Sequence, residues 1–106
     1  MPAPLRITYS TAIVLLAVNR GFRHGFDIMD ASGLKSGTVY PILRRLEDAG
    51  MLRAKWEAVA DARDAQRPPR RYYQMTGAGM KALADATERF PGLTRTLAPT
   101  ATPAPT

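Results

Sequence analysis

The chain has no cysteine and a single histidine, His24, among 106 residues. Without thiols there is no disulfide and no thiolate metal site, and a reducing compartment, the cytoplasm, is the expected location. A lone histidine without partners at metal-ligand spacing implies no metal centre and is expected at the surface or at a helix cap. Gly-rich phosphate loops and paired acidic motifs are missing as well, so neither an enzyme nor a cofactor is expected. Long apolar runs are missing too. The longest, Ala12 to Val18, has seven residues, against the roughly 18 or more of a membrane span. It lacks the flanks of an export signal, and no membrane partner is expected. Acidic residues are outnumbered, fifteen Lys and Arg against nine Asp and Glu, for a net charge of +6. The excess falls mainly in residues 1–24 and 51–76 and favours a polyanionic partner.

The length is that of one domain. Residues 1–8, broken by Pro2 and Pro4, form a lead-in. Tyr9 to Asn19 reads as a first helix, opened by Thr8 or Ser10 and followed by Gly21. Its apolar residues Ile13, Val14, Leu15, Leu16 and Val18 surround the axis. One side is expected in the core and the other against a second chain. Gly25 to Asp30 is a short second helix, and Ala31 to Leu34 a turn that Gly33 can make without steric cost.

The run from Gly37 to Gly50 carries the clearest pattern. Val39, Ile42, Leu43 and Leu46 fall at i, i+3, i+4 and i+7, an apolar helical stripe. Thr38, Tyr40, Pro41, Arg44 and Arg45 point away from it, a surface suited to phosphates and base edges. Ser36 is the expected N-cap and Gly50 the stop. Lys35 and Ser36 at the helix N-terminus are candidates for a phosphate contact, although capping alone accounts for Ser36.

After Gly50 the period changes. Residues 51–59 read as a strand with Leu52, Ala54, Trp56 and Ala58 on one side, and Trp56 is expected as a packing residue of a hairpin. Residues 61–69 read as a charged loop and residues 70–76 as the return strand. Tyr72 and Tyr73 then face opposite ways, one to the core and one to the surface. Arg63, Arg67, Arg70 and Arg71 make this hairpin basic; contact with a nucleic acid is expected first at Arg67 and Arg63, while Arg70 or Arg71 turns to the body. Thr76 can cap a last helix, from Gly77 to about Phe90, weakly begun because of Gly77 and Gly79. Residues 91–106, rich in Pro, Thr and Ala, read as a solvated tail. The fold class is mainly α with a small β-hairpin, a winged helix-turn-helix of order α-α-α-β-β-α spanning residues 9–90.

At three places the chain resembles the PadR family of bacterial transcriptional regulators. His24-Gly25-Phe26-Asp27-Ile28 is similar to the family's His-Gly-Tyr-Glu-Ile. Ser36 to Glu47 is similar to its Ser-x-Gly-Thr-Leu-Tyr-Pro-x-Leu-x-Arg-Leu-Glu helix, and Arg67 to Thr76 to its Arg-Pro-x-Arg-Tyr-Tyr-x-Leu-Thr strand. The resemblance covers about Thr8 to Phe90. It departs at Gly77-Ala78, where the family has Pro-Glu, and the last helix has no tryptophan to stack on a planar ligand. The resemblance implies a homodimeric repressor that binds double-stranded DNA, with dimer contacts from the first and last helices: Ile13, Val14, Leu16, Met80, Leu83 and Thr87. Lys35, Ser36, Thr38, Tyr40, Pro41, Arg44, Arg45, Arg63, Arg67 and Arg70 are the candidate DNA contacts. Some family members bind small aromatic effectors, and an effector here is left open. The alternatives are a winged-helix adaptor for another protein and a ligand sensor with a pocket between two chains.

Overall fold

Residues 6–97 are described by the computed structural model, and helix α1 (Tyr9–Asn19) is their centre. The Thr8 side chain caps it, accepting the Thr11 N–H at 3.2 Å. Every residue from Thr11 to Val18 is buried. The cover comes from the chain itself, because the helices Gly25–Ser32, Ser36–Asp48 and Gly77–Arg89, the strand Arg71–Met75 and the 3-10 turn Leu93–Arg95 all pack on α1. The expectation that one side of α1 meets a second chain is therefore corrected. A helix that is apolar all round belongs inside a core, and five surrounding elements can enclose one in a small domain.

Helix α2 (Gly25–Ser32) runs two residues beyond its expected end and stops at Gly33, whose φ of +74° lets its N–H reach the Met29 carbonyl at 2.9 Å. Helix α3 (Ser36–Asp48) begins one residue earlier than expected. Lys35 holds the extended cap position, without a side-chain bond, so Ser36 is the first helical residue and not the cap. Pro41 consequently lies beyond the first turn and forfeits the bond to the Gly37 carbonyl; Gly37 is exposed, and water can take that place. Val39, Ile42, Leu43 and Leu46 are all buried, as their spacing required. Gly50, at φ +76°, closes the helix. The Gly50 and Met51 N–H groups donate back to the Glu47 and Leu46 carbonyls at 3.0 and 2.9 Å.

Strands β1 (Leu52–Trp56) and β2 (Arg71–Met75) are shorter than the expected strands and antiparallel, with Leu52 opposite Met75, Ala54 opposite Tyr73 and Trp56 opposite Arg71. The far edge of β2 is partly paired: Tyr73 N–H donates to the Arg23 carbonyl at 2.9 Å, and His24 bridges Tyr72. The segment between the strands is not a plain loop. It contains helix α4 (Val59–Asp64), in a stretch where Ala58, Ala60, Ala62 and Ala65 supply helix propensity that outweighs the local charge.

Helix α5 (Gly77–Arg89) starts on the Thr76 cap, whose Oγ1 accepts the Gly79 N–H at 3.1 Å and donates to the Gly50 carbonyl at 2.6 Å. Gly79 is a poor helix former with a reason to be there. A Cβ on it would lie 2.1 Å from the Met51 carbonyl oxygen, so glycine lets the helix sit against the start of β1. Residues 91–97 depart from the expected solvated tail. They turn back through a 3-10 turn (Leu93–Arg95), Leu93 and Leu97 are buried in the core, and Arg20 Nη1 donates to the Leu97 carbonyl at 2.8 Å. The rest of the expected tail, 98–106, lies outside the described residues.

Candidate nucleic-acid interface

The four buried residues of α3 hold its opposite face outward. Lys35, Ser36, Thr38, Tyr40, Pro41, Arg44 and Arg45 are all exposed. Arg44 and Arg45 make no ion pair among the described residues, and neither do Arg63 and Arg70. Tyr40, Pro41, Arg44, Arg45 and Asp48 line one shallow concavity on this face. Tyr40 also closes a second cleft, between the start of α2 and β2, with His24, Gly25, Phe26, Arg70, Arg71 and Tyr73.

Gly25 is the residue whose role the sequence pattern left unstated. A Cβ on it would lie 2.5 Å from Tyr40 Cε1. Glycine at the start of α2 thus makes room for the phenol, which sits over α2 while remaining half exposed. The adjacency of His24 and Gly25 at a helix start was the available signal, but the partner, fifteen positions away, was not in it.

The hairpin arginines divide into two kinds. Arg63, on α4, and Arg70 are exposed and unpaired. Arg67 is engaged: its two terminal nitrogens grip both oxygens of Glu57, with Nη2 to Oε2 at 2.7 Å. The fork holds the Glu57 carboxyl below the ordinary glutamate range and the Arg67 guanidinium above its usual value, by hydrogen bonding first and charge attraction besides. Arg71 is engaged as well. Its Nη2 donates to the Glu47 carboxylate of α3, at 2.9 and 2.6 Å, and its guanidinium lies 5.8 Å from the centre of the Trp56 ring. Of the expected first-ranked contacts, Arg63 stands free and Arg67 serves as a clasp across the base of the wing tip.

Trp56 does not pack in the hairpin as expected; it is 66% exposed. Its strand face is the core face, buried at Leu52 and partly covered at Ala54, but the hairpin runs out past the body and the cover ends before Trp56. The two tyrosines split as expected, Tyr73 buried and Tyr72 half-buried. Burial pushes the Tyr73 phenol up. His24 occupies the cap position of α2 without a side-chain cap bond; its Nδ1 lies 3.2 Å from the Arg71 carbonyl and its ring meets Tyr72 edge-on.

The residues expected between two chains are not one surface. Ile13, Val14, Leu16 and Leu83 are buried in the protomer's own core, whereas Met80 and Thr87 are exposed on α5. Among the described residues no group of three or more side chains could hold a metal ion, and no helix is long and apolar enough to cross a membrane.

A family model described as the transcriptional regulator PadR-like family matches residues 14–85. Among solved structures, a PadR family transcription regulator from hypervirulent Clostridium difficile R20291 superposes with a TM-score of 0.68 at 18% identity, over 83% of this chain and 93% of that one. A PadR-like transcription factor from Bacteroides fragilis gives 0.60 at 28% identity, over 82% and 84%. A PadR family transcriptional regulator from Eggerthella lenta DSM 2243 gives 0.59 at 24%, over 76% and 73%. No curated protein matches the chain. The family match spans α1 to α5, with the helix-turn-helix and hairpin inside it, and the chain is a transcription regulator belonging to the PadR-like family.

Proposed function

We propose that this regulator is a dimeric repressor that reads a specific sequence in double-stranded DNA through α3. The observation that carries the reading is the outward face of α3. It displays Thr38, Tyr40, Arg44 and Arg45 with no acidic residue paired to either arginine, the chemistry of a helix that enters a major groove. Lys35 and Ser36 approach a phosphate at the helix start, Pro41 lies against the groove wall, and Arg63 and Arg70 meet the backbone beside the wing. Arg67 stays on Glu57. The second chain joins through the exposed side of α5 around Met80 and Thr87. This sets two α3 helices about 34–36 Å apart, or a multiple of it, on an inverted repeat. The work is done in the cytoplasm, where the genome lies, and requires no catalytic group.

Selection from a random duplex pool at about 0.15 M salt, where non-specific binding is weakened, tests the reading. An enriched inverted repeat is expected, bound with a log K against log salt slope near −5 if about six phosphates are neutralised. Failure to enrich any sequence would sink it. On the selected duplex, Arg44→Ala should cost about 1–3 kcal/mol and relax one base position. An equal loss on every duplex would make Arg44 a phosphate contact instead.

A further inference from the structure

Trp56 is a large aromatic that the fold leaves mostly uncovered. The residue is 66% exposed at the outer end of β1, so folding gains little from it, yet it is not loose. Arg71, directly opposite in the hairpin register, lies against the ring, and the same guanidinium is tied to Glu47 of α3. Indole, guanidinium and carboxylate thus form a bridge from the wing to α3. Its Arg71–Glu47 half borders the valley between those two elements. Tyr40, Arg44 and Glu47 follow one another at i, i+4 and i+7 along the wing side of α3, and Arg71 lines the same cleft as Tyr40 and Arg70.

The geometry points to Trp56 as a DNA contact in its own right, packing its indole on the deoxyribose of the strand that runs between α3 and the wing. This assignment rests on the DNA-reading function proposed above. The surroundings select the partner. Glu47 already neutralises Arg71, while Arg44 and Arg70 are exposed and form no ion pair among the described residues. An exposed apolar ring one register step from Arg70, on a wing tied to a helix that exposes Arg44, suits a ligand with alternating apolar and anionic parts, as sugar and phosphate alternate along a nucleic-acid backbone. Arg71 holds the ring in place through an exposed cation–π contact. The ring therefore meets the sugar already oriented, and its remaining exposed face leaves water only on docking.

Trp56 is the only tryptophan in the chain, so its emission reports on this one position. The test titrates the full chain with a fluorophore-labelled duplex carrying the selected repeat. Anisotropy reads binding, and tryptophan emission is read in parallel. The expected result is a blue shift of emission that saturates with the anisotropy, a loss of affinity of about fivefold in Trp56→Ala with far-UV circular dichroism unchanged, and most of the affinity kept in Trp56→Phe. Binding with unmoved emission and unchanged Trp56→Ala affinity would overturn the assignment while leaving the DNA-reading function standing. A blue shift that grows with protein concentration without DNA would reassign the ring to contacts between chains. No anisotropy change with any duplex would remove the DNA-reading function, and the assignment with it.

Discussion

Helix α3 and the wing carry the same kind of residue and use it differently. On α3 the arginines at 44 and 45 stand free on an exposed face; in the wing, Arg67 and Arg71 are each gripped by a glutamate, Glu57 and Glu47, while Arg63 and Arg70 are not. A count of basic residues would rank the wing above α3 as a polyanion surface. The structure narrows that difference, because two of the wing's five arginines hold the wing together. The difference follows from construction. Helix α3 is anchored by four buried side chains and has rigidity in hand. The wing tip buries only Ala62 between Trp56 and Arg71, so ion pairs do there what apolar packing does under α3.

The largest expected effect breaks the anchored side of this comparison. Leu43 is fully buried, and Leu43→Ala should lower stability by about 2–5 kcal/mol in urea unfolding. A loss under about 1 kcal/mol would mean that the core does not hold α3. A smaller and local effect is expected in the wing. Glu57→Gln should leave the urea midpoint nearly unchanged while lowering amide protection across residues 58–66. Acid should do the same to the unaltered chain. The Glu57 carboxyl titrates below its ordinary value of 4.5, so the clasp is complete above that value and is lost as pH falls through the lowered one. Protection at 58–66 should step down there, and the step should be absent in Glu57→Gln. The smallest effect concerns the end of α4. Gln66 has φ +58° and occupies the left-handed position after the helix, with its own N–H bonded to the Arg63 carbonyl at 2.9 Å and the Arg67 N–H to that of Ala62 at 3.0 Å. Glycine takes that conformation without a Cβ penalty. Gln66→Gly should therefore firm the wing tip by about 0.5 kcal/mol, visible as higher protection at Arg67, whereas Gln66→Ala should not.

Local pattern made α3 legible. Its apolar spacing predicted all four buried residues, and Gly50 marked its end; only the start was displaced, because Lys35 and not Ser36 takes the cap. The same logic located α1 from Tyr9 to Asn19 and the Thr76 cap of α5. It failed where the answer depended on what lies opposite. Period-two alternation assigned Trp56 to the right strand face, but not the point at which the hairpin leaves the body. Arg67 read as an unpaired arginine because the Glu57 that grips it is ten positions away. Residues 91–97 read as tail because their few leucines sit among Pro and Thr, with nothing local to show that Arg20 and the core receive them.

The sequence by itself determined the order of α1, α2, α3, the two strands and α5, the outward face of α3 and the family, since periodicity, capping and a contiguous motif act over a few residues. Tertiary structure alone decided that α1 is enclosed by its own chain, that Arg67 and Arg71 are paired with glutamates, that Gly25 makes room for Tyr40, and that Trp56 is exposed. Each of these depends on a contact, or an absence of cover, between segments distant in sequence. Burial and ion pairing are properties of what surrounds a side chain, and the chain specifies those surroundings only once it has folded.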